Sequence, residues 1–196
     1  MVTINTRDQN KLYTREKILS ETMILIQQNG FVKVSTKDIA VASGVSQGSI
    51  FLHFGTKNQL IEEILISNLN VFQNDLVQGC RTNYPTDQFS REFISVVILH
   101  ENFLSRAYKD YPYLPEHLQK YIDDIETLIK NLFFDNLKQH RSMPLNIIDS
   151  FLFIDAFYAQ IKSYLLEKNA QSIGSFLKQR RGRIMKLYSK LFEGTS

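Results

Sequence analysis

The sequence predicts an all-α chain, on three grounds. Its 196 residues include only four Pro and eight Gly, and long stretches have neither, which favours helices over a turn-rich β fold. Apolar residues recur at steps of three and four in one segment after another, the period of a helix with one buried face. Hydrophobic residues make up 43% of the chain, with 14 Phe and 9 Tyr, enough to fill a core.

Each element follows in order. Thr14 is placed to cap a first helix. Ile18, Leu19, Thr22, Leu25 and Ile26 fall on one face of it, and Asn29-Gly30 supplies the left-handed residue that ends it. Phe31 to Val34 is a short extended link. Ser35 with Asp38 three places on forms a capping box and opens a short helix with Ile39, Ala40 and Ser43 inward. Gly44 lets the chain turn and Val45 is expected to pin the turn to the core. Ser46 caps a second short helix, Gln47 to about Leu52. Thr56 caps a long helix whose inward positions Leu60, Ile61, Ile64, Leu65 and Leu69 run toward an end at Gly79. Residues 81–88 read as a loop. One helix is expected over Phe89–Tyr108, a break over Tyr111–Pro115, then helices over Glu116–His140, Leu145–Lys168 and Ser172–Phe192.

Composition narrows the function classes. The single cysteine, Cys80, has no partner for an internal disulfide and reads as a partly buried thiol. Met1–Gln9 is polar without an apolar signal core, and no run of about 18 apolar residues occurs, so a cytoplasmic protein is expected. Four scattered histidines, including those of His100-Glu101 and Glu116-His117, lack zinc spacing, so no metal and no cofactor is expected. No nucleophile–base pair or phosphate loop supports an enzyme. Residues 1–60 carry seven Lys/Arg against four Asp/Glu, whereas residues 61–196 carry sixteen of each. The excess positive charge therefore lies in the first third, the sign expected of a phosphate-facing surface.

A two-turn helix, a Gly turn and a second short helix make a helix-turn-helix, over about residues 35–54. Such short helices persist only when packed, here against the helix that precedes them. The unit presents its second helix to the major groove while the first crosses the backbone. Ser46, Gln47 and Ser49 are short polar groups at the leading end of that helix, able to reach base edges and phosphates.

Thr14-Arg15-Glu16-Lys17-Ile18-Leu19, Asn29-Gly30-Phe31, Ser35 to Ala40, Gly44 to Phe51 and His53 to Leu60 together resemble the DNA-binding domain of TetR-type transcriptional regulators. The resemblance runs without a gap over about residues 12–66. It implies an N-terminal three-helix reader over 12–66 and a larger helical domain over 67–196 that binds a small effector and dimerises. Carried over by position, Gln47, Gly48 and Ser49 would face the groove on the recognition helix, with Ser46 at its start. Phe51, Leu52 and His53 would lie toward its end near the phosphates. Lys57, a cation at a helix N-terminus where the dipole disfavours it, would meet a phosphate. Ser35, Thr36 and Lys37 would touch the backbone. Phe51 stands where the family usually has Tyr, and Leu52 where a polar residue is frequent.

In the larger domain, Phe93, Val97, Phe103, Tyr108, Phe133 and Phe157 are candidates to line an effector pocket, since such pockets are apolar and lie between helices. Phe151, Ile154, Tyr158, Ile161, Ile173, Phe176, Arg180, Ile184 and Leu187 lie on the long faces of the last two helices, candidates for a two-fold four-helix interface. The function so implied is a homodimeric, sequence-specific DNA-binding regulator on a pseudo-palindromic operator. Most often in this family it is a repressor, here released by an apolar or amphipathic effector. The alternative is an effector-independent architectural or cell-cycle DNA-binding protein of the same fold.

Overall fold

The computed structural model describes residues 6–140, 147–168 and 174–192. Among these the chain is helical throughout: α1 Thr6–Asn29, α2 Thr36–Ser43, α3 Gln47–Phe54, α4 Lys57–Gly79, α5 Thr86–Leu99, α6 Glu101–Asp110, a 3-10 turn at Tyr111–Tyr113, α7 Glu116–His140, α8 Ile147–Glu167 and α9 Phe176–Phe192. Two compact units form, Met1–Asn68 and Leu69–Ser196.

In the first unit, α1 packs on α2 and α2 on α3. Ile18, Ile26, Ile39, Ile50 and Leu60 are wholly buried, each contributing about 1.5–3 kcal/mol of burial. Thr22 and Ser43 are buried too, and each donates its hydroxyl to the carbonyl four residues back, at 2.6 Å. The first helix begins two turns earlier than Thr14. Thr14 is not its cap; its hydroxyl donates to the Asn10 carbonyl at 2.8 Å inside the helix. Residues 7–13 are exposed and show no apolar stripe, so periodicity is silent about them. The helix extends into them because adding a residue to an existing helix costs far less than starting one.

In the second unit, α8 packs on α9, α6 and α7, and α5 on α9 and α7. Phe133 is the centre of the core. Phe93, Phe89 and Phe157 surround it edge-on at ring separations of 4.8, 4.9 and 5.5 Å, and Tyr188 closes on Phe157 at 5.1 Å. Each such pair adds about 0.5–1.5 kcal/mol beyond its buried area. The single helix expected over Phe89–Tyr108 is two, broken at His100. No Gly or Pro marks the break. Its cause is tertiary: the His100 imidazole hydrogen-bonds Asp75 at 2.7 Å and sits edge-on to Phe72.

Several buried polar groups in this unit are paired, while Asn136 Oδ1 is buried with no hydrogen-bond partner. Glu101, 2% exposed, accepts the Leu177 N–H at 2.8 Å and so caps the start of α9; Lys168 stands 3.6 Å from it. The Tyr108 and Tyr158 hydroxyls bond each other. Asn136 donates to the Thr82 and Tyr84 carbonyls at 2.9 and 2.7 Å, fastening the loop before α5. Cys80 is buried, and burial, with Glu92 adding to it, pushes its thiol up to about 12, so it is unreactive at neutral pH. No helix among the described residues is long and apolar enough to cross a membrane.

Candidate nucleic-acid interface

Local chemistry builds the helix-turn-helix. Ser35, in extended backbone, forms the reciprocal capping box with Asp38 that opens α2. Gly44 closes α2 at φ 65°, a conformation that L side chains rarely adopt. The Gly44 and Val45 N–H groups return to the Val41 and Ala40 carbonyls at 3.2 and 3.1 Å, so both of these turn donors are paired. Val45 is only half-buried; these hydrogen bonds, more than its side chain, hold the turn. Ser46 accepts the Ser49 N–H at 3.1 Å and starts α3. Ile50 and Phe54 point inward. The Arg15 guanidinium lies 4.7 Å over the Phe54 ring while pairing with Glu63, which fixes the end of α3.

What α3 leaves outside is Gln47, Gly48, Phe51 and Leu52, the last 78% exposed. Thr36 donates to Gln47 Oε1 at 3.3 Å, which leaves the Gln47 amide NH2 to donate elsewhere. Gly48 has ordinary helical φ, and a Cβ there would meet only the Ser46 hydroxyl at 3.7 Å. Neither turn geometry nor internal packing requires glycine at this exposed position.

The flanking residues divide. Lys37 is exposed. Ser35 is occupied by its capping box, and Thr36 by Gln47. Lys57 donates to the Val34 carbonyl at 2.9 Å, bolting the start of α4 to the link before α2. This internal partner accounts for a cation at a helix N-terminus, and two of its three ammonium donors remain. His53 Nδ1 is buried with no hydrogen-bond partner, and the imidazole is held below its ordinary range by burial, then by Lys11 and Arg15. The first unit takes in Glu62 and Glu63, so its surplus falls to one positive charge, and any basic character is local.

Sequence reasoning missed Arg7, Asn10 and Lys11. The earlier start of α1 places them along a cleft that also has Thr14, Ser49, Leu52 and His53 on its walls. The only hint was the four-residue spacing of Arg7 and Lys11 in a segment without Gly or Pro.

In the second unit the pocket candidates Phe93, Val97, Phe103, Tyr108, Phe133 and Phe157 are all buried at 1–7% exposure, several of them in the ring cluster. Of the interface candidates, Ile154, Tyr158, Ile161 and Ile184 are turned into the chain's own core, because α8 and α9 pack on each other and on α5, α6 and α7. Phe176, Arg180 and Leu187 are half-buried, and the Arg180 guanidinium stacks over the Phe176 ring. Phe151 is 40% exposed and stacks on Phe134. Ile173 lies outside the described residues. The outward stripe of α8 is instead Ile148, Leu152, Ala159 and Leu166. No group of three His, Cys, Asp or Glu among the described residues is placed to hold a metal ion.

Residues 18–64 match the family model of bacterial regulatory proteins, tetR family. An uncharacterized HTH-type transcriptional regulator of Bacillus subtilis (strain 168), YvdT, is 38% identical over 64 residues, 33% of this chain and 32% of that protein. The HTH-type transcriptional regulator AcrR of Shigella flexneri is 35% identical over 78 residues, 39% of this chain and 35% of that protein. The matched part thus spans about a third of the length of each relative. The crystal structure of a TetR transcriptional regulator from Legionella pneumophila superposes with a TM-score of 0.68 over 95% of this chain and 98% of that one, at 21% identity, a likeness of fold.

Proposed function

We infer that this chain, which belongs to the TetR family through its N-terminal unit, is a transcriptional regulator that binds duplex DNA with α3 in the major groove. The observation that carries this is Gly48. It stands on an outward helix face, costs helix stability, and answers no need inside the chain. Gln47, with its NH2 available, and Phe51 and Leu52, exposed side by side, complete a face suited to base edges and thymine methyls. Lys37 and the spare donors of Lys57 are placed to add backbone contacts.

A second copy supplies the second reader. The outward residues Ile148, Leu152, Ala159 and Leu166 of α8 support self-association as a mostly apolar helix face, with Asp155 among them paired to Lys130. Two readers then meet successive major grooves, about 34–36 Å apart.

Repression relieved by an effector is the finer reading, supported by an aromatic core able to hold an apolar molecule if the rings part. The touching rings around Phe133 favour the alternative, an effector-independent DNA-binding protein, because the candidate residues already fill that space with one another. A footprint of the full chain on the DNA flanking its own gene tests the core reading. Two protected half-sites about one helical turn apart are expected; a lack of protection even in dilute salt refutes it. Repeating the footprint with apolar and cationic small molecules separates the effector reading from its alternative.

A further inference from the structure

A cleft lies beside α3. Arg7, Asn10, Lys11 and Thr14 fall at i, i+3, i+4 and i+7, one face of α1. Ser49, Leu52 and His53 fall at i, i+3 and i+4 on α3. These two helix faces are the walls of a cleft of about 690 Å³. Asp8 also lines it, so two full cations stand against one carboxylate. His53 lines the cleft too, and its Nδ1 is buried with no hydrogen-bond partner in the protein. The imidazole also reports the local potential, since Lys11 and Arg15 add to burial in keeping it neutral.

We propose that this cleft seats a backbone phosphate of the bound DNA, held by Arg7 and Lys11 with the polar groups of Asn10 and His53 beside it. The inference rests on the DNA-binding reading above. A helix lying in the major groove has a sugar-phosphate strand along each side. One wall of the cleft is α3 itself, so a strand flanking α3 passes the first turns of α1. The occupant is thus an anion in a fixed place next to the reading face. Phosphate contacts are indifferent to base sequence, so the site adds affinity and register and no preference.

The test uses the full-length chain and a 40-base-pair duplex of random sequence, with affinity measured over a range of potassium chloride concentrations. Each phosphate contact contributes about 0.9 to the slope of log K against log salt. Arg7→Ala and Lys11→Ala should each flatten the slope by about one unit, and the pair by about two. The same should hold on any other duplex, with an unchanged thermal midpoint. Lys186→Ala, which removes one exposed charge from α9, should leave the slope as it was. If the wild-type chain binds with a steep slope and the Arg7 and Lys11 variants keep it, the cleft holds no phosphate while the DNA reading stands. Equal flattening by Lys186→Ala makes the effect one of net charge and overturns the site. Failure of the wild-type chain to bind any duplex removes both.

Discussion

The two units handle polar groups in opposite ways. In the first, polar side chains mostly serve backbone close by in sequence: Ser35 and Ser46 accept the N–H three residues on, the buried Thr22 and Ser43 donate to the carbonyl four residues back, and Thr36 meets Gln47 across the turn. In the second, polar side chains are buried and find partners far along the chain: Glu101 meets Leu177, Tyr108 meets Tyr158, and Asn136 holds the loop at 82–84. The contrast teaches where each unit carries its cost. A surface built by local caps leaves one helix face free for a partner. A core fixed by distant polar pairs is unforgiving of substitution, because each loss strands a buried group.

The sharpest way to break that contrast is at Glu101. Glu101→Ala leaves the Lys168 ammonium, 8% exposed, without its carboxylate and the Leu177 N–H without an acceptor. The expected loss is about 3–5 kcal/mol by urea unfolding; a loss within about 0.5 kcal/mol, the range of ordinary surface changes, would mean the pair is incidental. Next comes Tyr108→Phe, which leaves the buried Tyr158 hydroxyl without its partner. About 1–3 kcal/mol is expected, and equal stability of the variant would show that the hydroxyl pair carries nothing.

The smallest effect belongs to the first unit. The His53 imidazole has its pKa lowered on folding, by burial first and then by Lys11 and Arg15. The unfolded chain therefore binds more protons at mildly acid pH, and stability falls as pH falls. The loss begins near the unfolded value of about 6.5 and continues down to the folded one. Wild type should lose stability more steeply than His53→Gln as pH falls below about 6.5; parallel curves would remove His53 as the source.

Legibility in the sequence followed the same division. The capping box at Ser35 and Asp38, the Gly44 turn, the Ser46 and Thr56 caps and the Gly79 end were all readable, because each is a local rule with a local residue. The break at His100 was not, since the Asp75 that makes it lies 25 residues away. The first two turns of α1 were not, since an exposed helix segment need not carry an apolar stripe. Consequently Arg7 and Lys11, which depend on those turns, were missed. For Ile154, Ile161 and Ile184, periodicity gave a buried face without saying what buries it, and the structure assigns that face to the chain's own core. Lys57 shows the reverse: an odd cation that pointed outward by pattern has the Val34 carbonyl as a partner within the chain.

The central claim is that the outward face of α3 is shaped for a partner and not for the fold, and Gly48→Ala tests it most directly. Duplex affinity and thermal unfolding are measured side by side on the one variant. The added methyl meets only the Ser46 hydroxyl at 3.7 Å, so the free chain should gain up to about 1 kcal/mol. Affinity should fall by about tenfold or more, roughly 1.4 kcal/mol, as the methyl holds the backbone off the DNA. Unchanged affinity in a more stable variant would contradict the claim, as would a loss of stability that explains the loss of binding.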